Sequence, residues 1–192
     1  MDWTSADASR RATDLTRQLM LERAQAYRSG GDAALGVYHD QKAPRVAADE
    51  LARLLASAGA LHDLAPPLTA YLRGFPSAGL PDSEEFLYWA VDGVGPDAAV
   101  SLHQLITYRP AGGAVMVVDK QLYASRYVDA ALAVITIVPD PGGQAFHALV
   151  GARARSTALR GMMARVLRSQ VEKAARDTAA MYLGWLRGSL MM

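Results

Sequence analysis

Cysteine is absent from this chain of 192 residues. That excludes disulfides, thiolate zinc sites and thiol chemistry, and it leaves the redox compartment open. Charge of one sign is missing too. Twenty Lys and Arg stand against 19 Asp and Glu, a formal net charge of +1. No bulk field recruits nucleic acid or an anionic membrane, so neither is expected as a partner. No uncharged run of about 18 apolar residues occurs, and no integral membrane segment is expected. The opening Met1-Asp2-Trp3-Thr4-Ser5-Ala6-Asp7 lacks a basic region and an apolar stretch, which argues against a signal peptide. A cytoplasmic location is the expectation, and a mature periplasmic form stays open. His39, His62, His103 and His147 form no HxxxH or HxH pair, so neither a metal site nor a cofactor is expected. Ser101, Ser125 and Ser156 have no G-x-S-x-G around them. The Gly-Gly pairs at 30–31, 112–113 and 142–143 lack a phosphate-loop pattern and read as turns.

What is present is apolar patterning, with 51% hydrophobic residues. A chain of this length buries about 70% of its unfolded surface and needs no covalent staple. The spacing predicts helices over residues 1–80. One runs from Ser5 to Ser29, with Leu15, Leu19 and Ala26 on its apolar face. A short one is capped by Asp32, and a third carries Leu51, Leu54, Leu55 and Ala58 up to Gly59. A fourth opens at Pro66-Pro67. From 84 to 156 the period changes to that of strands: Glu84 to Val91, Ala99 to Arg109, Ala114 to Arg126, Ala130 to Val138 and Gln144 to Arg153. The short turns between them require antiparallel pairing. Over 157–190 a stripe from Leu159 through Val166, Leu167, Val171 and Met181 to Trp185 predicts one long helix. At 1.5 Å per residue it would be roughly 48 Å long. The fold class expected is therefore α+β in a single domain. N-terminal helices, an antiparallel sheet of about five strands and a long C-terminal helix are packed together.

The segment Asp119-Lys120-Gln121-Leu122-Tyr123-Ala124-Ser125-Arg126-Tyr127 is too polar for a plain structural strand. It is where a site is sought first. A hairpin turn at Pro110–Gly113 that pairs Arg109 with Ala114 would set His103 opposite Lys120. A one-residue slip would instead bring His103 beside Asp119 or Gln121 and exchange the faces. His103 is a candidate acid or base, although a mid-strand His is more often a hydrogen-bonded structural residue. Lys120 or Tyr123 would then polarise a carbonyl or enolate, as in a cyclase, isomerase or lyase. The leading reading is binding of a hydrophobic or amphipathic small molecule between the sheet and the C-terminal helix. Gln121, Ser125, Arg126, Tyr127, Arg153 and Arg155 would line that site, with Lys120, Tyr123, Arg126 and Arg153 at the ligand's polar end. Strand alternation puts Arg153 and Arg155 on one face. A third reading is a homodimer formed through the long helix.

Phe86-Leu87-Tyr88-Trp89, Ser101-Leu102-His103, Lys120 to Tyr127 and Arg153-Ala154-Arg155 together resemble a family of uncharacterised bacterial proteins. That family carries F-Y-W, V-T-H, K-Q-x-Y-A-S-H-Y and R-S-R segments, and the likeness spans about residues 26–165. The family's second His is Arg126 here, and the acid after its Arg pair is Thr157. The resemblance implies no particular activity. The expected architecture is similar to the helix-grip arrangement of lipid-transfer and polyketide-cyclase proteins, in which a sheet wraps a long helix around an apolar cavity.

Overall fold

The computed structural model describes residues 7–39, 44–92, 99–126, 128–142 and 145–156, together with Arg176 and Ala180, which are helical. The architecture is α+β. Helix α1 (Ala8–Gly30) runs into a short 3-10 turn (Gly31–Leu35), then strands β1 (Val37–Tyr38) and β2 (Arg45–Val46). Helices α2 (Ala47–Ala56), α3 (Gly59–Leu64) and α4 (Pro66–Gly74) follow. The sheet comprises β3 (Ser83–Asp92), β4 (Ala99–Tyr108), β5 (Val115–Ala124), β6 (Ala130–Pro139) and β7 (Phe146–Arg155). These five strands lie in chain order, each antiparallel to the next. The expected helix over 157–190 lies outside the described residues, and with it the element that a helix-grip arrangement requires.

Two-residue periodicity decides which face of the sheet meets the helices. Leu102, Ile106 and Tyr108 of β4, Met116, Val118 and Leu122 of β5, and Leu132 of β6 are buried in one core. From the helices that core takes Met20, Tyr27, Leu51, Leu54, Leu55, Leu68, Tyr71 and Leu72. The Leu51–Leu54–Leu55 face of α2 is the one its helical spacing predicts. In α1 the buried positions are Met20 and Tyr27, while Leu15 and Leu19 are 47% and 40% exposed. Only the C-terminal half of α1 contributes buried residues to the core, so Leu15 and Leu19 of its first half stay exposed. Gly59 opens α3 rather than ending α2, which stops at Ala56.

The β4–β5 hairpin is shifted by one residue from the register expected for a tight turn. Gly112 and Gly113 both have positive φ, 99° and 81°. Tyr108 pairs with Met116, Gln104 with Lys120 and His103 with Gln121. Because side chains alternate with period two, that shift sends His103 and Lys120 to opposite faces. A bulge at Leu102/His103 then adds a residue on β5, so Leu102 meets Tyr123 and Ser101 meets Ala124.

Candidate functional site

Polar residues gather on both faces of β4–β5, in two separate groups. The helix-side group centres on Lys120, whose side chain is fully buried. Its ammonium donates to Asp32 Oδ1 at 2.6 Å, to the Leu72 carbonyl at 2.9 Å and to the Tyr27 hydroxyl at 3.4 Å. Three acceptors match its three protons. Tyr27 donates at 2.6 Å to Gln104 Oε1, Gln104 Nε2 donates to Glu85, and Tyr71 also donates to Glu85. The 3-10 turn, α1, α4, β3, β4 and β5 are thus joined by one hydrogen-bonded chain. Burial pushes the Lys120 ammonium below its ordinary value of 10.5, and the Asp32 charge offsets part of that. Burial pushes the Tyr27 hydroxyl well above its ordinary range, and the Asp32 and Glu85 charges add to it. Tyr71 rises by burial and by its bond to Glu85. Every polar atom named here has a partner, and Lys120 is not among the residues lining the cleft between α3 and β5–β7. This group is a structural clasp. Lys120 does not join His103, contrary to the pairing expected from a tight hairpin.

The outer-face group centres on His103. Its Nδ1 lies 2.9 Å from Asp119 Oδ1 and its Nε2 lies 2.8 Å from Ser101 Oγ. Tyr88 stacks on the imidazole at 4.8 Å between centroids and donates to Asp119 Oδ2 at 2.7 Å. Ser101 and His103 share a face because they are two apart on one strand. Asp119 reaches the ring diagonally from β5. Gln121, the cross-strand partner of His103, has a buried Nε2 with no hydrogen-bond partner among the described residues.

Tyr123 is turned to the helix side by the bulge. It packs edge-on to Tyr38, and Arg23 of α1 sits 4.1 Å above its ring. A cation on its face and a neighbouring ring leave it as a packing residue rather than a partner for His103. Ser125 pins the end of the hairpin: its Oγ accepts from Val100 N at 2.9 Å, and its own N donates to Val100 O at 2.8 Å. Arg126 is exposed in the bend after β5, and Tyr127 lies outside the described residues. Arg153 and Arg155 do share the helix-side face, opposite Leu132 and Ala130. Arg155 is taken: its Nε donates to Glu50 Oε2 at 2.7 Å, and Arg53 also pairs with Glu50. Burial works against the ionised Glu50, but Arg155 and Arg53 outweigh it and hold the carboxyl below its usual range.

Arg153 stands differently. It lies at the rim of a cleft of about 400 Å³ between α3 and β5–β7. Ala58, Leu61 and Leu64 form one wall; Met116, Leu132, Val134 and Leu149 form the other. Arg153 has no carboxylate partner among the described residues. Among the described residues the cleft is bounded by α3 of the N-terminal part, and the C-terminal helix expected to cover a pocket lies outside them. Leu64 and Leu149, 69% and 61% exposed, mark its open side. Among the described residues no three His, Cys, Asp or Glu side chains gather where they could hold a metal ion. No described helix is long and apolar enough to cross a membrane.

Sequence reasoning missed Asp32, Tyr27, Gln104 and Glu85, whose partners lie far away in the chain. It also missed the link from Ser101 and Asp119 to His103. The spacing of Ser101 and His103 and the alternative register together carried that second signal. No protein-family model matches the chain, and comparisons with curated proteins and with solved structures return no match.

Proposed function

We propose that this protein binds an amphipathic small molecule with an anionic head in the cleft beneath α3. One observation carries the reading: an apolar cleft of about 400 Å³ with Arg153, which has no carboxylate partner among the described residues, at its rim. That volume falls in the range of small-molecule sites, roughly 300–1,000 Å³. Met116, Leu132, Val134 and Leu149 would bury an aliphatic tail, and the Arg153 guanidinium suits a carboxylate in a bidentate grip.

A series of linear fatty acids tests it by calorimetry or by displacement of a fluorescent fatty acid. Each methylene buried adds about 0.8 kcal/mol, or about fourfold in affinity, until the cleft is full. Affinity should climb with chain length and then level off. Arg153→Met should weaken binding by roughly tenfold or more, because a charge-assisted hydrogen bond contributes about 1.5–3 kcal/mol. The loss should shrink at high salt, since the rim is exposed. An affinity indifferent to chain length and to Arg153 would remove this reading.

A further inference from the structure

We propose that Ser101, His103, Asp119 and Gln121 form an acyl-transfer site on the outer face of the sheet, with a small carboxylic ester as the substrate class. It is independent of the cleft, which opens on the helix side.

Three features point there. First, the hydrogen bonds run in the order that nucleophilic catalysis needs: Ser101 Oγ to His103 Nε2 at 2.8 Å, His103 Nδ1 to Asp119 at 2.9 Å. An ionised carboxylate only accepts, so Nδ1 carries the ring proton and donates it to Asp119. In the neutral ring that leaves the Nε2 lone pair facing the serine hydroxyl, the tautomer required to take its proton. Second, the ring is fixed in place. Tyr88 lies flat against it and holds the other carboxylate oxygen of Asp119 at 2.7 Å. Third, Gln121, paired with His103 across the strands, has a buried amide nitrogen without a partner among the described residues. An orphaned buried donor costs stability, and this one belongs to the residue paired with His103, so it is the group we assign to the charge that develops on an attacked carbonyl. The bulge at Leu102/His103 falls between Ser101 and His103, where strand pairing is locally disrupted.

In the reaction, Oγ of Ser101 bonds to the ester carbonyl carbon while its proton passes to His103 Nε2. The carbonyl oxygen gains charge against the Gln121 amide. The C–O bond to the leaving alcohol breaks, and His103 gives that alcohol the proton. Water then attacks the acyl-serine, its proton goes to His103, and Ser101 Oγ leaves and takes the proton back. Ester and water become acid and alcohol, and Asp119 stays ionised throughout as a positioning residue. Ser101 is 1% exposed, so the carbonyl reaches Oγ only when this end of the β4–β5 ladder opens, and turnover is slow.

Two experiments test this on the full chain. A fluorophosphonate probe followed by peptide mass spectrometry should place one label on Ser101. Labelling of another residue, or none after prolonged exposure, overturns the proposal without recourse to any variant. The second is hydrolysis of 4-nitrophenyl acetate. Gln121→Met should lower kcat by roughly 10²-fold with little change in KM, because its donor acts on the developing charge. Asp119→Asn should lower it by on the order of 10³-fold or more and alter the pH profile. Circular dichroism should confirm that both variants are folded; a folded Asp119→Asn protein with unchanged turnover also overturns the proposal.

Discussion

Two glutamines on neighbouring strands face opposite ways across the sheet, and they live under opposite rules. Gln104 points to the helices, is fully buried, and has both amide atoms engaged by Tyr27 and Glu85. Gln121 points outward, is 9% exposed, and keeps a buried nitrogen with no partner among the described residues. Gln104 belongs to a chain of hydrogen bonds that ties six elements together. Gln121 belongs to a cluster whose members carry the chemistry of nucleophilic catalysis. Gln104 is fully engaged in its cluster, and Gln121 has one donor left over among the described residues.

The largest expected effect lies on the helix side. Lys120→Met leaves Asp32, the Leu72 carbonyl and the Tyr27 hydroxyl without their shared cation. Breaking a buried pair in this way costs about 3–5 kcal/mol. A domain of this size should then melt about 10 °C lower. The pH response has a definite sign. Between the lowered value of folded Lys120 and its ordinary 10.5, the unfolded chain binds more protons, so stability rises with pH. Tyr27 and Tyr71 act the other way. Their folded values lie above the ordinary 10.0, so their contribution is complete below that pH and declines above it. Wild-type stability should therefore climb on approaching pH 10 and fall beyond it. Lys120→Met should lose the climb and keep the fall, as melting curves across pH 7–11 would reveal.

Gln104→Met is the next test of the contrast. It leaves the Tyr27 hydroxyl and Glu85 each short of a partner, at about 1–3 kcal/mol in denaturant unfolding. A loss well under 1 kcal/mol would mean that the helix-side chain is not the structural clasp its complete bonding implies.

All five strands of the sheet and their antiparallel order could be read in the sequence, because alternation and short turns are local signals. The apolar face of α2 could be read as well. The buried face of α1 could not, since spacing alone does not say how much of a helix overhangs its core. The site lies between these cases. His103, Lys120 and Gln121 stand out as polar groups in apolar strands, but which of them meet depends on a single residue of register. Gly112 and Gly113, both at positive φ, carry the chain through a turn one residue wider than the tight loop. The bulge near His103 has no signature in residue type. Asp32 and Tyr27 reach Lys120 from 88 and 93 residues away, a distance no local pattern spans.

A smaller effect separates Arg153 from Arg155, adjacent on the same face. Glu50, held ionised by Arg155 and Arg53, contributes stability that is complete above the ordinary carboxyl value of 4.5 and is lost as pH falls below it. Glu50→Gln should cost about 1–2 kcal/mol at pH 7 and flatten the acid limb of the stability profile. Arg153→Met should change stability by less than about 0.5 kcal/mol, as expected of an exposed side chain kept for a ligand. A loss in Arg153→Met as large as that in Glu50→Gln would make Arg153 structural and remove the argument for an anion at the cleft.

The smallest expected effect has the opposite sign. Gln121→Met keeps the length of the side chain and removes a buried donor that nothing accepts. An unpaired polar group of this kind costs about 1–3 kcal/mol where water is excluded. At 9% exposure part of that penalty is relieved by solvent. Stability should stay level or rise by up to about 1 kcal/mol, whereas the same replacement at Gln104 should lower it. Denaturant midpoints of the two variants measured side by side decide the matter, provided that m-values match and the unfolded states are alike. A Gln121→Met protein destabilised as much as Gln104→Met would show that its amide is engaged in holding the fold. The asymmetry between the faces would disappear, and the donor assigned to the acyl-transfer site would go with it.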